Sequence, residues 1–218
     1  MYLVLQYDNR PLGDVLKTLI NYNIAYCNKH NYKHMFVNID FGLPPYWVKA
    51  FFIHTLLNTN KYEGILWLDT DACIHDTNIK LESMIVNDKS FYLSPDNIIW
   101  EHYSPFNAGV FFVLNNAMGK EIMSKWISCY NPNLWVKDNQ NIWTTTVGHW
   151  GGEAYEQGSF TSHVLPIYSN HIHRFEWNYF QSTYSSIHRH KNTPVFSVHF
   201  CCDKDNIYNY IMDFQQSA

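Results

Sequence analysis

Apolar residues fall along this chain in short blocks separated by turn-forming residues. Tyr2 to Tyr7 is an almost unbroken apolar run and reads as a first buried strand. Asp8-Asn9-Arg10-Pro11-Leu12-Gly13 is turn chemistry. A helix is expected from Asp14, whose charge suits a helix amino terminus, with Val15, Leu16, Leu19, Ile20 and Ile24 at helical spacing. Met35 to Ile39 reads as a second strand. Leu43-Pro44-Pro45 breaks the chain and opens a helix from Tyr46 to about Leu57. Ile65–Leu68 reads as a strand buried on both faces, because it is apolar without alternation. Strands alternating with helices in this way predict a parallel sheet.

The second half is less regular. Short strands are expected at Ser90–Leu93 and Gly109–Leu114, and a helix over Lys120–Tyr130. Asn131 to Gly152, rich in Asn, Trp, Thr and Gly, reads as a long irregular segment, and loops of that length are often functional. A short helix near Gln157–Ser162, a strand around Val164–Ile167 and a last strand over Val195–Phe200 complete the pattern. With 218 residues, no repeat and no low-complexity linker, a single domain is expected.

Composition narrows the function classes. The net charge is -4 and no run of Lys and Arg is present, which argues against nucleic acid as a partner. Aromatic residues make up 17% of the chain, with 16 Tyr and 8 Trp. Core packing claims at least half of the tryptophans, and the remaining rings suit sugar faces. Cys27, Cys73, Cys129, Cys201 and Cys202 are odd in number and lack a Cys-x-x-Cys pair, which points to reduced thiols and a cytoplasmic setting. No signal peptide and no membrane span is visible. The chain is therefore either a soluble protein or a domain of a longer, multidomain one.

The chemistry concentrates where Gly64-Ile65-Leu66-Trp67-Leu68 gives way to Asp69-Thr70-Asp71. Ligands bind beyond the carboxyl ends of strands in open α/β sheets. Two carboxylates that close repel each other unless they share a cation. A hard divalent ion held by few carboxylates completes its shell with water and substrate phosphates. A metal–diphosphate site is the first expectation, and a solvated turn is the alternative. Elsewhere, Asn107-Ala108-Gly109 is either a sugar-binding amide beside a close backbone approach or an ordinary turn. Glu156 and Glu153 are carboxylates near a predicted helix start. Each is either a general base, a stabiliser of the sugar, or a helix-terminal acid. His149-Trp150-Gly151-Gly152, Trp177 and Tyr179 are candidates for an acceptor wall, with core packing as the alternative. His171, His173, His188 and His190 alternate but have no acidic or Cys partner nearby, and read as surface histidines.

Several of these pieces, in order, resemble one family. Tyr26-Cys27-Asn28-Lys29-His30-Asn31-Tyr32, Tyr46-Trp47-Val48-Lys49, Trp67-Leu68-Asp69-Thr70-Asp71-Ala72, Phe106-Asn107-Ala108-Gly109-Val110-Phe111 and His199-Phe200 followed by Cys202 and Lys204 carry the likeness. The chain resembles the yeast galactosyl- and mannosyltransferases and plant xyloglucan xylosyltransferases, nucleotide-sugar enzymes of the GT-A fold with an Asp-x-Asp motif. It also resembles glycosyltransferase domains of large algal viruses, for which the setting would be the host cytoplasm.

The resemblance implies an α/β fold of GT-A type: one Rossmann-like domain with a central, mostly parallel mixed sheet flanked by helices. Residues 1–115 would hold nucleotide sugar and metal, and 116–218 would form the acceptor half with a closing metal–phosphate segment. The implied activity is metal-dependent transfer from a UDP-sugar to a hydroxyl of an oligosaccharide or glycoprotein glycan, with the stereochemical outcome open. Asp69, Asp71 and His199 would hold Mn²⁺ or Mg²⁺, the imidazole favouring Mn²⁺. Lys204 would neutralise the diphosphate. Gln6, Tyr7 and Asp8 would meet the uracil, and Lys49, Thr70 and Asn107 would complete the donor site. In this chain Cys201 stands where the family has glycine, Asp203 precedes Lys204, and no membrane anchor is visible. Two other readings remain open from the residues: a phosphatase of the haloacid dehalogenase type with Asp69 as nucleophile, and a non-catalytic sugar-nucleotide-binding domain.

Overall fold

The computed structural model describes residues 1–96, 104–149, 151–189, 193–201 and 203–217. Trp150, His190 and Cys202 lie outside these residues. The first half follows the apolar blocks closely. Strand β1 (Leu3–Tyr7), helix α1 (Asp14–His30), β2 (Lys33–Val37), α2 (Pro45–Asn58) and β3 (Gly64–Leu68) follow in order. Helix α1 ends on Asn31 in the left-handed conformation, φ 57°, a common helix stop. Helix α2 begins with Pro45, where the missing N–H costs nothing.

Strands β4 (Ala72–Ile74), β5 (Phe91–Leu93) and β6 (Val110–Leu114) follow, then α3 (Ala117–Ser128), capped by the Asn116 side chain accepting from Gly119 N. The irregular stretch contains a hairpin, β7 (Trp135–Lys137) and β8 (Trp143–Thr145). Helices α4 (Glu156–His163) and α5 (Leu165–Tyr168) precede β9 (Ile172–Arg174), and α6 (Trp177–Phe180), α7 (Tyr184–Arg189), β10 (Ser197–His199) and α8 (Ile207–Ser217) close the chain.

The strand expected at Val164–Ile167 is a helical turn instead, because Pro166 sits in its first turn and Val164 C=O accepts from Ile167 and Tyr168. The strand of this region is β9, a few residues on. A four-residue apolar run carries no period by which to separate the two outcomes.

The main sheet has the order β2-β1-β3-β6-β5-β9. Pairs β1–β2, β1–β3 and β5–β9 are parallel, while β6 is antiparallel to both β3 and β5. The sheet is thus mixed and mostly parallel, as the resemblance implies. Alternation along each strand divides the core between two faces. Leu3, Leu5, Ile65, Trp67, Phe111 and Val113 pack with Trp47 of α2 and Trp126 of α3. Val4, Leu66, Leu68, Val110 and Phe112 pack on the opposite face with Tyr26 of α1. A continuous apolar strand such as β3 is what burial on both faces requires.

Strands β4 and β10 form a separate antiparallel ribbon, His199 opposite Ala72 and Ser197 opposite Ile74. Val198, Phe200 and Cys73 of this ribbon pack with Leu19 of α1 and Ile207, Tyr210 and Ile211 of α8. The ribbon carries the end of the chain back to the carboxyl end of β3. Among the described residues no helix is long and apolar enough to cross a membrane.

Beneath β1, Gln6 joins three elements. Its carbonyl oxygen accepts from Asn23 Nδ2 of α1 at 3.1 Å and pairs with His34 Nε2 of β2 at 3.0 Å, while its Nε2 donates to Asp69 O at 3.3 Å. Burial pushes His34 down to about 4. The folded state therefore keeps His34 neutral at a pH where the unfolded chain, titrating near 6.5, takes a proton. Stability is expected to fall as pH drops from about 6.5 to 4. In urea unfolding at stepped pH, His34→Gln should flatten that slope; an unchanged slope would remove His34 as its source.

Candidate active site

The site is built where β1, β3, β6 and the β4–β10 ribbon converge. Asp69 leaves the end of β3, and its N–H donates to Gly109 O of the segment entering β6 at 2.8 Å. Its two carboxylate oxygens have different tasks. Oδ1 accepts from Trp67 Nε1 at 2.7 Å and from Lys49 Nζ at 2.9 Å. Oδ2 faces His199, 4.0 Å from Nε2. Asp71 Oδ1 lies 3.4 Å from the same nitrogen, and Asp71 Oδ2 lies 3.5 Å from Lys204 Nζ. One ligand atom each from Asp69, Asp71 and His199 lies within 4.8 Å of the others. An ion with bonds of about 2.1 Å closes that spread with small side-chain movements.

His199 is presented by its neighbours. Gln181 Nε2 donates to Ser94 Oγ at 3.1 Å and to Asn107 O at 3.0 Å, so Gln181 Oε1 is the atom facing His199 Nδ1, 3.2 Å away. Nδ1 must then carry a hydrogen, and Nε2 is the atom turned toward Asp69 and Asp71. A metal-binding histidine usually has its second nitrogen fixed in this way. The ring packs directly on Gly109: a Cβ there would lie 2.0 Å from His199 Cε1. The close approach expected at Gly109 is therefore made by the imidazole. Burial pushes Asp71 up, but His199 and then Lys204 outweigh it and hold the carboxyl well below the usual range. Burial pushes His199 down, but Cys201 and Asp71 beside it hold it well above its ordinary value.

Lys49 is not a solvated surface lysine. It is 7% exposed, donates to Ala108 O at 3.0 Å and lies 3.4 Å from Glu156 Oε1, with Nζ 5.3 Å above the Trp67 ring. Burial lowers its affinity for the proton, but Asp69 and then Glu156 outweigh burial and raise it. Burial raises Glu156, and Lys49 opposes that shift. Glu156 starts α4, and three indoles pin this approach: Trp47 and Trp135 donate to Ala154 O, and Trp126 donates to Glu156 O.

The cleft at Asp69 and Asp71 has a volume of about 520 Å³. Tyr7, Asp8, Arg10, Asp40, Tyr46, Lys49, Trp67, Asp69, Thr70, Asp71 and Lys204 line it, with Lys137, Asn141, Ile142 and Trp143 of the β7–β8 hairpin. The irregular segment thus contributes one wall of the cleft. Several expected groups are not in that lining. Glu156 lies beneath Lys49, and Glu153 is an exposed partner of His163 at 3.2 Å. Gln6 is held in the network under β1. Asn107 Oδ1 accepts from Gly109 N and its Nδ2 donates to Asp96, so this amide shapes the turn into β6. Trp177 and Tyr179 are also absent from the lining, and Tyr179 packs on Phe175. Of the alternating histidines, His173 is half-buried against Phe175 and Tyr92, and His188 pairs with Asp213. Gln181 and Arg10 were not singled out in the sequence, because neither sits in a pattern that marks a site.

Residues 3–94 match the model of the galactosyl transferase GMA12/MNN10 family. Among solved structures, a glycosyltransferase involved in the glycosylation of the major capsid of PBCV-1 superposes with a TM-score of 0.73 at 17% identity, covering 97% of this chain and 98% of that one. The chain has the GT-A glycosyltransferase fold. This sets aside the haloacid dehalogenase reading of Asp69.

Relatives by sequence carry the same class of name. A probable glycosyltransferase 2 of Oryza sativa subsp. indica is 28% identical over 138 residues, 60% of this chain and 28% of that protein. Galactomannan galactosyltransferase 1 of Cyamopsis tetragonoloba is 26% identical over 131 residues, 55% of this chain and 29% of that protein. The GT-A chain spans less than half the length of the curated relatives it matches.

The Lys49 cluster makes a stability prediction. Removing one partner of a buried ion pair strands the other charge, at a cost of about 3–5 kcal/mol. Lys49→Met is expected to lower stability by that order in urea unfolding, and Lys49→Met combined with Glu156→Gln to recover part of it. No recovery in the double variant would show that Glu156 does not depend on Lys49.

Proposed function

We propose that this chain is a metal-dependent glycosyltransferase that takes a sugar from a UDP-sugar and passes it to a hydroxyl of a glycan acceptor. The observation that carries the reading is the clustering of Asp69, Asp71 and His199 in a GT-A fold, with the two carboxylates lining an open cleft and the imidazole buried beside them. The donor set of two carboxylates and one imidazole fits a divalent cation and favours Mn²⁺ over Mg²⁺. Bound there, the cation would supply positive charge to the diphosphate as it leaves.

The chain's own residues account for the rest of the donor site. Lys204, 57% exposed beside Asp71, is free to swing toward a phosphate oxygen. Tyr7 lines the cleft at the end of β1, and its ring stands tilted against Phe41. Asp40, Tyr46 and the β7–β8 hairpin enclose the side of the cleft beyond Tyr7. We assign Lys49 and Glu156 to the floor of the site. Their mutual pairing keeps Asp69 Oδ1 neutralised and Oδ2 turned outward, and leaves Glu156 out of reach of an acceptor hydroxyl in this arrangement. That favours a reaction in which no buried glutamate acts as general base, in keeping with retention.

The test is calorimetry with Mn²⁺ and UDP, followed by a screen of UDP-sugars that reads UDP release with and without simple sugar acceptors. UDP is expected to bind only when Mn²⁺ is present. Asp71→Asn should weaken that binding at least tenfold. Gly109→Ala should weaken it too, because the added methyl displaces the imidazole. UDP binding that ignores Mn²⁺, or that survives Asp71→Asn unchanged, would overturn the metal role. Binding without slow donor hydrolysis or transfer would turn the proposal into the non-catalytic domain instead.

A further inference from the structure

Asp8 and Arg10, one and three residues beyond the end of β1, form a unit that the donor-site roles above leave unused. The Asp8 carboxylate is 4% exposed, yet it lines the cleft. All of its acceptor capacity is taken. Oδ1 accepts from Arg10 N at 2.9 Å and Arg10 Nε at 2.9 Å. Oδ2 accepts from Arg10 Nη2 at 2.8 Å and Thr70 Oγ1 at 2.9 Å. A carboxylate offers about four lone-pair sites, so Asp8 has none left for a ligand. The expectation that Asp8 meets the base edge does not survive this count.

Arg10 is the reverse case. Its side chain is 65% exposed and it lines the same cleft. Two of its five N–H donors are held by Asp8, and among the described residues nothing else accepts from the guanidinium. Asn38 Nδ2 donates to Asp8 O at 2.6 Å and Arg10 O at 3.0 Å, which fixes the backbone of the turn. A guanidinium clamped at one edge, with its other edge in a cleft, is preorganised to take an anion in bidentate fashion.

Its anchor sets which anion. Asp8 is bonded to Thr70, the residue between Asp69 and Asp71, so the guanidinium is tied one side chain away from the metal cluster. Arg10 and Asp71 line the same cleft. Lys204 stands beside Asp71 on its other oxygen. Lys49 is occupied by Asp69 and Glu156, and Lys137 is 3.9 Å from Asp40.

We infer that Arg10, positioned by Asp8 and through it by Thr70, binds a phosphate oxygen of the donor's diphosphate and with Lys204 brackets it. This rests on the reading of the cleft as a nucleoside-diphosphate site. Asp8 is then a positioning residue, and Arg10 is the group that touches the ligand.

Calorimetry with saturating Mn²⁺ tests it, using UDP, UMP and uridine on the wild type, Arg10→Gln, Arg10→Lys and Asp8→Asn. Arg10→Gln is expected to weaken UDP roughly 10- to 100-fold, as the loss of a hydrogen bond to a charged group does, and to leave uridine unchanged. Arg10→Lys keeps the charge but not the fork, and should fall between Arg10→Gln and the wild type. Asp8→Asn should cut the ratio of UDP to uridine affinity while the protein stays folded by thermal melting. A merely structural role would not move that ratio. Should Arg10→Gln unfold by exposing Asp8, Arg10→Gln with Asp8→Asn removes the stranded charge and is measured in its place. Unchanged UDP affinity overturns the inference, and so does an equal loss for uridine, which would place Arg10 on the base. A wild type that binds no UDP at all with Mn²⁺ overturns the nucleoside-diphosphate reading, and this inference with it.

Discussion

Charge compensation at the end of β3 is the constraint on which the rest of this site depends. Asp69 closes a strand buried on both faces, where an unpaired carboxylate would be costly. Trp67 and Lys49 satisfy one of its oxygens, and Lys49 is shared with the buried carboxylate of Glu156. That arrangement leaves Oδ2 available at the cleft. The Lys49–Glu156 pair does not itself line the opening with its acid. It fixes which edge of Asp69 is offered there, and it ties α2 and α4 to the end of β3.

A second constraint is steric. His199 arrives from a ribbon that runs antiparallel to β4, far from Asp69 in sequence, and its ring needs the space above Gly109. Gln181 then decides the hydrogen on Nδ1, because its own amide nitrogen is committed to Ser94 and Asn107. Cys201 Sγ lies 3.8 Å from Asn107 Nδ2, beside the turn into β6.

The two walls of the cleft differ in origin. One is made by the turns that follow β1 and β3, with Asp8, Arg10, Asp69, Thr70 and Asp71. The other is the β7–β8 hairpin, whose Lys137 sits over the Trp143 ring at 5.1 Å and reaches toward Asp40. The hairpin gives the cleft Lys137, Asn141, Ile142 and Trp143, while Asp69, Thr70 and Asp71 come from the end of β3. Substitutions in the hairpin can therefore change what the cleft accepts without touching Asp69, Asp71 or His199.

Much of this was legible in the chain itself. The unbroken apolar run of β3 ending at Asp69-Thr70-Asp71 marked both a central strand and its chemical end, because full burial erases alternation. Helices α1 and α2 were marked by spacing, Asp14 and the Pro44-Pro45 break. Short apolar runs were ambiguous, and Leu165–Tyr168 became a helical turn where a strand was expected. What tertiary structure alone decided was the partner of each polar group. Lys49 read equally well as a surface lysine, Glu156 as a general base, Asp8 as a ligand contact and Asn107 as a sugar-binding amide. Gln181 and Arg10 carried no signal at all. The physical reason is that burial and hydrogen-bond saturation depend on how the chain folds around each group, through close neighbours such as Arg10 for Asp8 and through distant ones such as Asp69 for Lys49. Sequence spacing reports the period of an element and the chemistry at its end, but not which neighbours have already taken a carboxylate's lone pairs.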